Sequence, residues 1–188
     1  MRDLSLHLMD IIQNSISADA ARIDIRILVN SAQDELKIEV TDNGRGMDKE
    51  LLAKVSDPFS TTRTTRRIGL GIPLFRASAQ RTGGDLTVDS DKGKGTTVTA
   101  LLKIRNIDRP PLGDIAETVV NVIAAKPEIQ WNLFLDNIKE EFVFDSNEVK
   151  SRLGDVPINQ FEVLTWIKEF INEAITRIFG GELDEIIG

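Results

Sequence analysis

The stretch ELKIEVTD, at positions 35–42, is predicted to carry an acid on the apolar side of a strand, where the fold must supply it with hydrogen-bond donors. Leu36, Ile38 and Val40 alternate with polar residues, which predicts a half-buried β-strand. Asp42 keeps the same parity, so its side chain is predicted to point toward the core. A buried carboxylate is costly unless it is hydrogen-bonded. Asp42 therefore either caps the Asn-Gly turn that follows it or accepts an N–H from a ligand, and the sequence leaves both interpretations open.

The length and composition limit the classes of protein that remain. A chain of 188 residues predicts one full-sized domain with a smaller addition. It has no cysteine, which excludes disulfides and thiolate chemistry. No apolar run approaches the roughly 20 residues that span a bilayer, and the N-terminus MRDLSLHLMD has acids where a signal peptide would be apolar. We expect a cytoplasmic protein with no membrane segment.

The charge is unevenly distributed along the chain. Residues 1–105 carry 16 Lys+Arg and 14 Asp+Glu, whereas residues 106–188 carry 7 and 16, a net charge of −9. An acidic C-terminal part repels DNA and anionic membranes, so we expect no nucleic-acid partner. An anionic ligand is expected to bind the N-terminal part.

The periodicity predicts an α+β protein with a boundary after residue 107. Pro110 and Pro111 interrupt the pattern there, which predicts one domain over 1–107 and a small acidic α+β domain over 108–188. Helices are predicted at Leu4 to about Ala18, Lys49–Val55, 70–82, Ile115–Ala125 and Phe161–Phe179, with one more between residues 145 and 161. Strands are predicted at 22–30, 35–42, 85–90, 95–104, 128–136 and 141–145, and a basic loop at 56–69.

Several polar positions are candidate ligand-binding residues beside Asp42. Adenine offers an amino group that a carboxylate accepts, whereas guanine offers a repelling carbonyl oxygen at that place. Asp10 and Asn14 lie one turn apart on the polar side of the first helix, either as a solvated face or as ligands for water and Mg²⁺. The Gly69-Leu70-Gly71 step begins a predicted helix, where free N–H groups attract phosphate. Thr96 shares the parity of the inward residues on its strand.

The order of these motifs resembles the ATP-binding fold of the superfamily that contains gyrase, Hsp90-type chaperones, histidine kinases and MutL, known together as GHKL proteins. The segments DPFSTTR, GLGIPLF, GGDLTVDS and GKGTTVTALL are similar to a histidine-kinase catalytic domain, and the resemblance covers about residues 1–105. It implies the Bergerat fold, a two-layer α/β sandwich with a mixed sheet under helices, with ATP and Mg²⁺ as cofactors.

The resemblance also implies a role for each matching residue. Asn14 would ligand Mg²⁺, Asp42 would bind adenine with support from Thr96, and Asp10 would be the catalytic base. The remaining positions would contact the nucleotide as base wall, lid and phosphate site, namely Gly44, Gly46, Met47, Phe59, Thr61, Thr62, Arg63, Arg66, Arg67, Gly69, Leu70 and Gly71.

The sequence departs from the family at positions that bear on activity. Members that hydrolyse ATP carry Glu where this chain has Asp10, and a shorter base is expected to slow turnover. Histidine kinases place a phospho-accepting His on a separate hairpin, whereas the one histidine here, His7, is predicted to lie on the polar face of the first helix. We therefore expect no self-phosphorylating histidine kinase.

These observations predict a stand-alone Mg-ATP-binding regulatory protein of the GHKL type, a nucleotide-dependent switch that acts on an unidentified protein partner through residues 110–188. The alternatives are a serine/threonine protein kinase like the anti-sigma factors and a weak ATPase that dimerises, as MutL does. The sequence is also compatible with a homodimer. The aromatic residues beyond 110 predict either a small core or a binding face.

Overall fold

The computed structural model describes residues 3–56 and 71–180, and this part folds as helices packed on one mixed sheet. The helices are α1 (Leu4–Ser17), α2 (Lys49–Ser56), α3 (Gly71–Arg81), α4 (Ile115–Ala125), α5 (Ser146–Leu153) and α6 (Phe161–Phe179). The strands are β1 (Arg22–Asn30), β2 (Glu35–Asp42), β3 (Asp85–Asp91), β4 (Gly95–Leu102), β5 (Gln130–Asp136) and β6 (Glu141–Asp145). The predicted α+β class and two-layer sandwich are confirmed.

The sheet is mixed because one pair of neighbouring strands is parallel. Its order is β3-β4-β2-β1-β5-β6, with β1 parallel to β5 and the other pairs antiparallel. The crossover from the first part of the chain to β5 passes through α4, which packs on α1 and α6. Residues 108–180 thus extend the sheet of the first part instead of forming a sheet of their own. The division at 107 stays a prediction about independent folding.

The segment after the predicted boundary is tied to the first helix. Leu4 N–H donates to the carbonyl of Pro111 at 2.9 Å, and Ser5 N–H donates to that of Leu112 at 3.0 Å. Asp3 caps the same helix by accepting from the N–H of Leu6 at 3.0 Å. The first turn of α1 is therefore satisfied both by its own cap and by the chain that leads into α4.

His7 is buried, so its predicted place on a polar face was wrong. The side chain is 4% exposed, and its ring stacks on Phe75 with centroids 5.0 Å apart and planes within 4°. The helix pattern alone does not show that α3 crosses this flank of α1. An imidazole with an aromatic neighbour is accommodated there as a partly apolar ring.

The last helix, α6, buries one stripe and leaves aromatic side chains outside it. The apolar stripe that the sequence predicts on this helix comprises residues 161, 164, 167, 171, 175 and 178. Ile167, Ile171 and Ile178 of this stripe are buried, and so is Ala174. Phe161, by contrast, is 77% exposed. Lys168 joins α6 to α4 through an ion pair with Glu117, with Nζ and Oε2 2.7 Å apart.

None of the helices within residues 3–56 and 71–180 has the length and apolar character needed to cross a membrane.

Candidate functional site

A cavity of about 180 Å³ opens between the C-terminal half of α1 and the loop that follows β2. Its described wall is completed by α2, the start of α3 and the start of β4. The residues that line it are Ile11, Asn14, Ser15, Ser17, Ala18, Asp42, Arg45, Gly46, Met47, Leu51, Val55, Ile72, Thr96 and Val98. The wall thus combines apolar side chains with a smaller number of polar ones, as ligand sites do.

Asp42 is the buried acid of this cavity, with 7% of its surface exposed. Its Oδ2 accepts a hydrogen bond from the Ser15 hydroxyl at 2.7 Å, and its Oδ1 accepts from the Gly44 N–H at 2.9 Å. The two interpretations of Asp42 are therefore compatible, because the carboxylate caps its own turn and also faces the cavity. Each oxygen has one observed donor and retains acceptor capacity.

Ser15 is a site residue that the sequence argument did not identify. It is buried on α1, one turn after Ile11, and its hydroxyl makes only a long 3.5 Å contact to the Ile11 carbonyl besides the short bond to Asp42. In the sequence, Ser15 follows Leu8 and Ile11 on the apolar side of the helix, and this position is the feature that could have identified it. A polar side chain at such a position needs a partner in the core.

The loop after Asp42 is attached to the end of α1 and the start of β1. The Asn43 Oδ1 accepts from the N–H groups of Ala21 and Arg22 at 2.9 and 2.8 Å. A Cβ on Gly44 would lie 2.7 Å from the Ala18 carbonyl oxygen, so only glycine allows this close approach. Gly44 therefore lies behind Asp42 and positions it, while Gly46 and Met47 line the cavity.

The other end of the loop is attached to the turn between β3 and β4. Gly46 has a φ of +61°, and a side chain there would collide with the carbonyl of Asp91. The Met47 N–H donates to the Ser90 hydroxyl at 2.9 Å. The Gly93 N–H donates to the Arg45 carbonyl at 2.7 Å. One wall of the cavity is thus fixed to the β3–β4 hairpin, and Ser90 and Gly93, on the hairpin side, are not among the candidate residues that the sequence indicates.

Thr96 lies beside Asp42, although its hydroxyl has another partner. The β2–β4 register pairs Asp42 with Thr96, and both line the cavity. The Ser90 hydroxyl donates to the Gly95 carbonyl at 2.9 Å, so the Thr96 hydroxyl, 2.9 Å from Ser90 Oγ, donates to Ser90. The hydroxyl that supports Asp42 is therefore that of Ser15.

The polar pair on α1 is divided between the cavity and α3. Asn14 lines the cavity, whereas Asp10 lies one turn earlier, beside Gly71 at the start of α3. A Cβ on Gly71 would lie 2.6 Å from the Cβ of Asp10, so glycine is needed where the two helices meet. Within the described ranges, no group of three His, Cys, Asp or Glu side chains could hold a metal ion.

The predicted lid and most of the predicted phosphate site lie outside the described residues. These positions are Phe59, Thr61, Thr62, Arg63, Arg66, Arg67, Gly69 and Leu70. Among the described residues that line the cavity, the cation is Arg45. Its guanidinium lies 3.3 Å from Asp19, and both side chains are largely exposed, so this pair adds little to stability.

The residues that line the cavity lie within the part of the chain that matches a known family. The family model described as "Histidine kinase-, DNA gyrase B-, and HSP90-like ATPase" matches residues 2–106. The sensor kinase CckA of Brucella abortus is 36% identical over 91 residues, which cover 48% of this chain and 9% of that protein. The sensor protein kinase FleS of Pseudomonas aeruginosa is 34% identical over 109 residues, covering 58% of this chain and 26% of that protein.

A solved structure extends the likeness of fold beyond residue 106. The N-terminal domain of a DNA repair protein superposes with a TM-score of 0.54 and 16% identity, covering 84% of this chain and 59% of that one. At this identity the likeness concerns the fold alone. The chain covers 9% of the length of the first of these kinases and 26% of the second.

Proposed function

The chain belongs to the family of histidine kinase-, DNA gyrase B- and HSP90-like ATPases, and from that premise we propose that it is an ATP-binding switch that regulates a partner protein. The family implies ATP binding. The observation that carries the proposal is the buried Asp42 carboxylate, which Ser15 and Gly44 hold at the wall of a cavity that apolar side chains also line. A fixed acceptor beside apolar walls suits a flat base that carries an amino group.

Asp42 would select adenine over guanine at this cavity. Its oxygens accept one hydrogen each from Ser15 and Gly44, and the remaining lone pairs suit the amino group of adenine. The carbonyl oxygen of guanine would place acceptor against acceptor in a poorly solvated site. Gly46, which lines the cavity, leaves room for a ring to lie against the backbone.

Asn14 would provide the protein ligand for Mg²⁺. Its amide oxygen is a hard ligand at the cavity wall, and Mg²⁺ commonly takes one or two protein ligands together with phosphate oxygens and water. The described part of the chain has no group of three His, Cys, Asp or Glu side chains that could hold a metal ion, which is consistent with Mg²⁺ being held by one protein ligand, phosphate oxygens and water. When bound, ATP supplies the phosphoryl group whose loss would switch the protein between states.

Asp10 would act on water one turn away from Asn14, although at a disadvantage. The carboxylate lies between α1 and the first residue of α3, where Gly71 packs against it. Its side chain is one methylene shorter than Glu, and a small error in the position of a base costs orders of magnitude in rate. We therefore propose slow turnover, which suits a switch that holds its nucleotide.

Transfer of the phosphoryl group to a partner is the second candidate function. The match of residues in this domain with proteins named sensor kinases favours it over a dimerising ATPase. Under this alternative the acceptor would be a serine or threonine of the partner. The same cavity and the same Asp42 would serve both functions.

Hydrogen exchange with and without ATP-Mg²⁺ tests the proposed switch. We expect ATP to protect the amides of 43–47 and the last turns of α1, and to change exchange in α4, which packs on α1, or in α6, which packs on α4. Labelled γ-phosphate followed in the same samples would distinguish a retained nucleotide from hydrolysis or transfer. Unchanged exchange at 43–47 with saturating ATP would contradict the proposal.

A further inference from the structure

The strand β6 is an edge of the described sheet, so every second residue of this strand directs its backbone N–H and C=O away from the sheet. In the β5–β6 hairpin, the Asn137 N–H donates to the Glu140 carbonyl at 3.2 Å. The register continues with Phe142 opposite Leu135. Because hydrogen-bonded pairs alternate in an antiparallel ladder, Phe142 bonds to β5 while Glu141 and Val143 direct N–H and C=O outward.

An exposed aromatic pair on α6 lies beside this edge. Trp166 stacks on Phe170 with centroids 5.2 Å apart and planes within 9°. Phe170 in turn meets Phe142 of β6 edge-on, at 5.2 Å. Trp166 is 50% exposed, and Val143 on the strand is also 50% exposed. We call Trp166 and Phe170 the aromatic ledge.

The surroundings of the ledge are acidic. Glu162, Glu169 and Glu173 are exposed on α6 at helical spacing from Trp166, so they share its side of the helix. The strand itself carries Glu141 and Asp145. Residues 106–188 have a net charge of −9, which favours a cationic occupant of the surface.

We propose that β6 and the aromatic ledge bind an extended, cationic segment of a partner protein, in which basic residues alternate with apolar ones. Added as a strand, such a segment would pair with the outward N–H and C=O of Val143. Its apolar side chains would lie on the helix side, against the ledge, and its basic side chains would lie on the other side, beside Glu141 and Asp145.

Charge disfavours the two other occupants that the chain itself offers. An antiparallel pairing of two copies centred on Val143 would set Glu141 of each copy opposite Asp145 of the other, and like charges directly opposite destabilise a sheet. The C-terminal residues 181–188 carry Glu182, Asp184 and Glu185, which have the same sign as the edge. A cationic segment removes both conflicts.

This surface shares no residue with the lining of the cavity beside Asp42. As the partner site of the switch, the inference rests on the proposed function, whereas binding of the segment requires only β6 and the ledge. Failure of the unmodified chain to bind ATP, while it binds the peptide, would contradict the proposed function alone. Failure of the unmodified chain to bind the peptide, while it binds ATP, would contradict this inference alone.

The test uses the full chain and two capped peptides of equal length, one alternating Lys with Ile and Val and the other alternating Glu with the same apolar residues. Fluorescence reports binding, because Trp166 is exposed while Trp131 is buried. We expect the basic peptide to bind, to protect the Val143 amide from hydrogen exchange, and to bind more weakly at higher salt. Failure of the basic peptide to bind, or equal binding of both peptides, would overturn the proposal.

Two variants with matched controls locate the contact. Val143→Pro removes the outward N–H, a change that an edge strand tolerates, while Val143→Thr keeps it. Trp166→Ala removes the ledge, while Phe161→Ala removes an exposed aromatic on another side of α6. We expect Val143→Pro and Trp166→Ala each to weaken the basic peptide about tenfold or more, and their controls to leave it unchanged. Binding to Trp166→Ala is followed by calorimetry, because that variant lacks the fluorescent reporter.

The remaining measurements identify a wrong occupant. Thermal unfolding and ATP binding establish that each variant is folded. Val143 amide exchange in the unmodified chain gives a reading that does not depend on any variant. Self-association that Val143→Pro abolishes would assign the edge to a second copy and overturn the proposal. Peptide binding that increases when residues 181–188 are removed would assign it to the chain's own end, with the same consequence.

Discussion

Replacing Ser15 with Ala removes the hydroxyl that holds the Asp42 carboxylate. The lost bond is short, at 2.7 Å, and its acceptor is a charged group of which 7% is exposed. A hydrogen bond to a charged group contributes about 1.5–3 kcal/mol, and the better helix propensity of alanine returns about 0.5 kcal/mol. We expect a net loss of about 1–2.5 kcal/mol, which lowers the melting temperature by about 2–10 °C in a chain of this size.

Ser17→Ala is the matched control for this prediction. Ser17 lies on the same helix and lines the same cavity, but it is exposed. Thermal unfolding of both variants, followed by ATP calorimetry, checks the prediction. Ser15→Ala should also weaken ATP about tenfold, because Asp42 is no longer held in one orientation. Equal melting temperatures for Ser15→Ala and Ser17→Ala would refute the assignment of Ser15 as the support of Asp42.

Three further predictions concern other parts of the fold. Gly46→Ala should unfold at a lower temperature than Gly93→Ala. Both glycines have a positive φ, but a side chain at position 46 would meet a backbone carbonyl, while the space at Gly93 is open. Equal melting temperatures of the two variants would contradict the close approach at Gly46. The hydrogen bond from Lys168 lowers the pKa of Glu117, so the stability that this pair adds is present above the ordinary pKa of 4.5 and is lost as the pH falls through the lowered value. The difference in melting temperature between the unmodified chain and Glu117→Gln should therefore close on acidification, and a constant difference would refute it. Asp10→Asn should lower the rate at which ADP is formed from ATP, with little change in the affinity for ATP. An unchanged rate of ADP formation would show that Asp10 is not the base.

The position of Asp42 was predictable because strand parity encodes the buried face. Three alternating apolar residues fix which side of β2 is inward, and Asp42 follows in phase with them. The same reasoning missed Ser15, because a single hydroxyl on a helix stripe is compatible with solvent, with a backbone bond or with a core partner. Only the tertiary contact between α1 and the end of β2 separates these outcomes.

The C-terminal strands show where local patterns stop being informative. Their existence was predicted from alternation, but their place in the sheet was not. β5 runs parallel to β1, with Ile25 opposite Leu133, and this pairing joins residues that are far apart in the chain. Periodicity within one segment carries no information about such a partner. His7 was misplaced for the same reason, since its neighbour Phe75 belongs to another helix.

The most direct test of the role of Asp42 is calorimetry with ATP and GTP in Mg²⁺, using the unmodified chain and Asp42→Asn. A buried charge-assisted hydrogen bond is worth about 1.5–3 kcal/mol, so we expect ATP to bind about tenfold to a hundredfold more tightly than GTP. Asp42→Asn should lose most of the ATP affinity and most of the preference. Equal affinities of the unmodified chain for ATP and GTP would contradict the assignment of Asp42 as the residue that binds adenine.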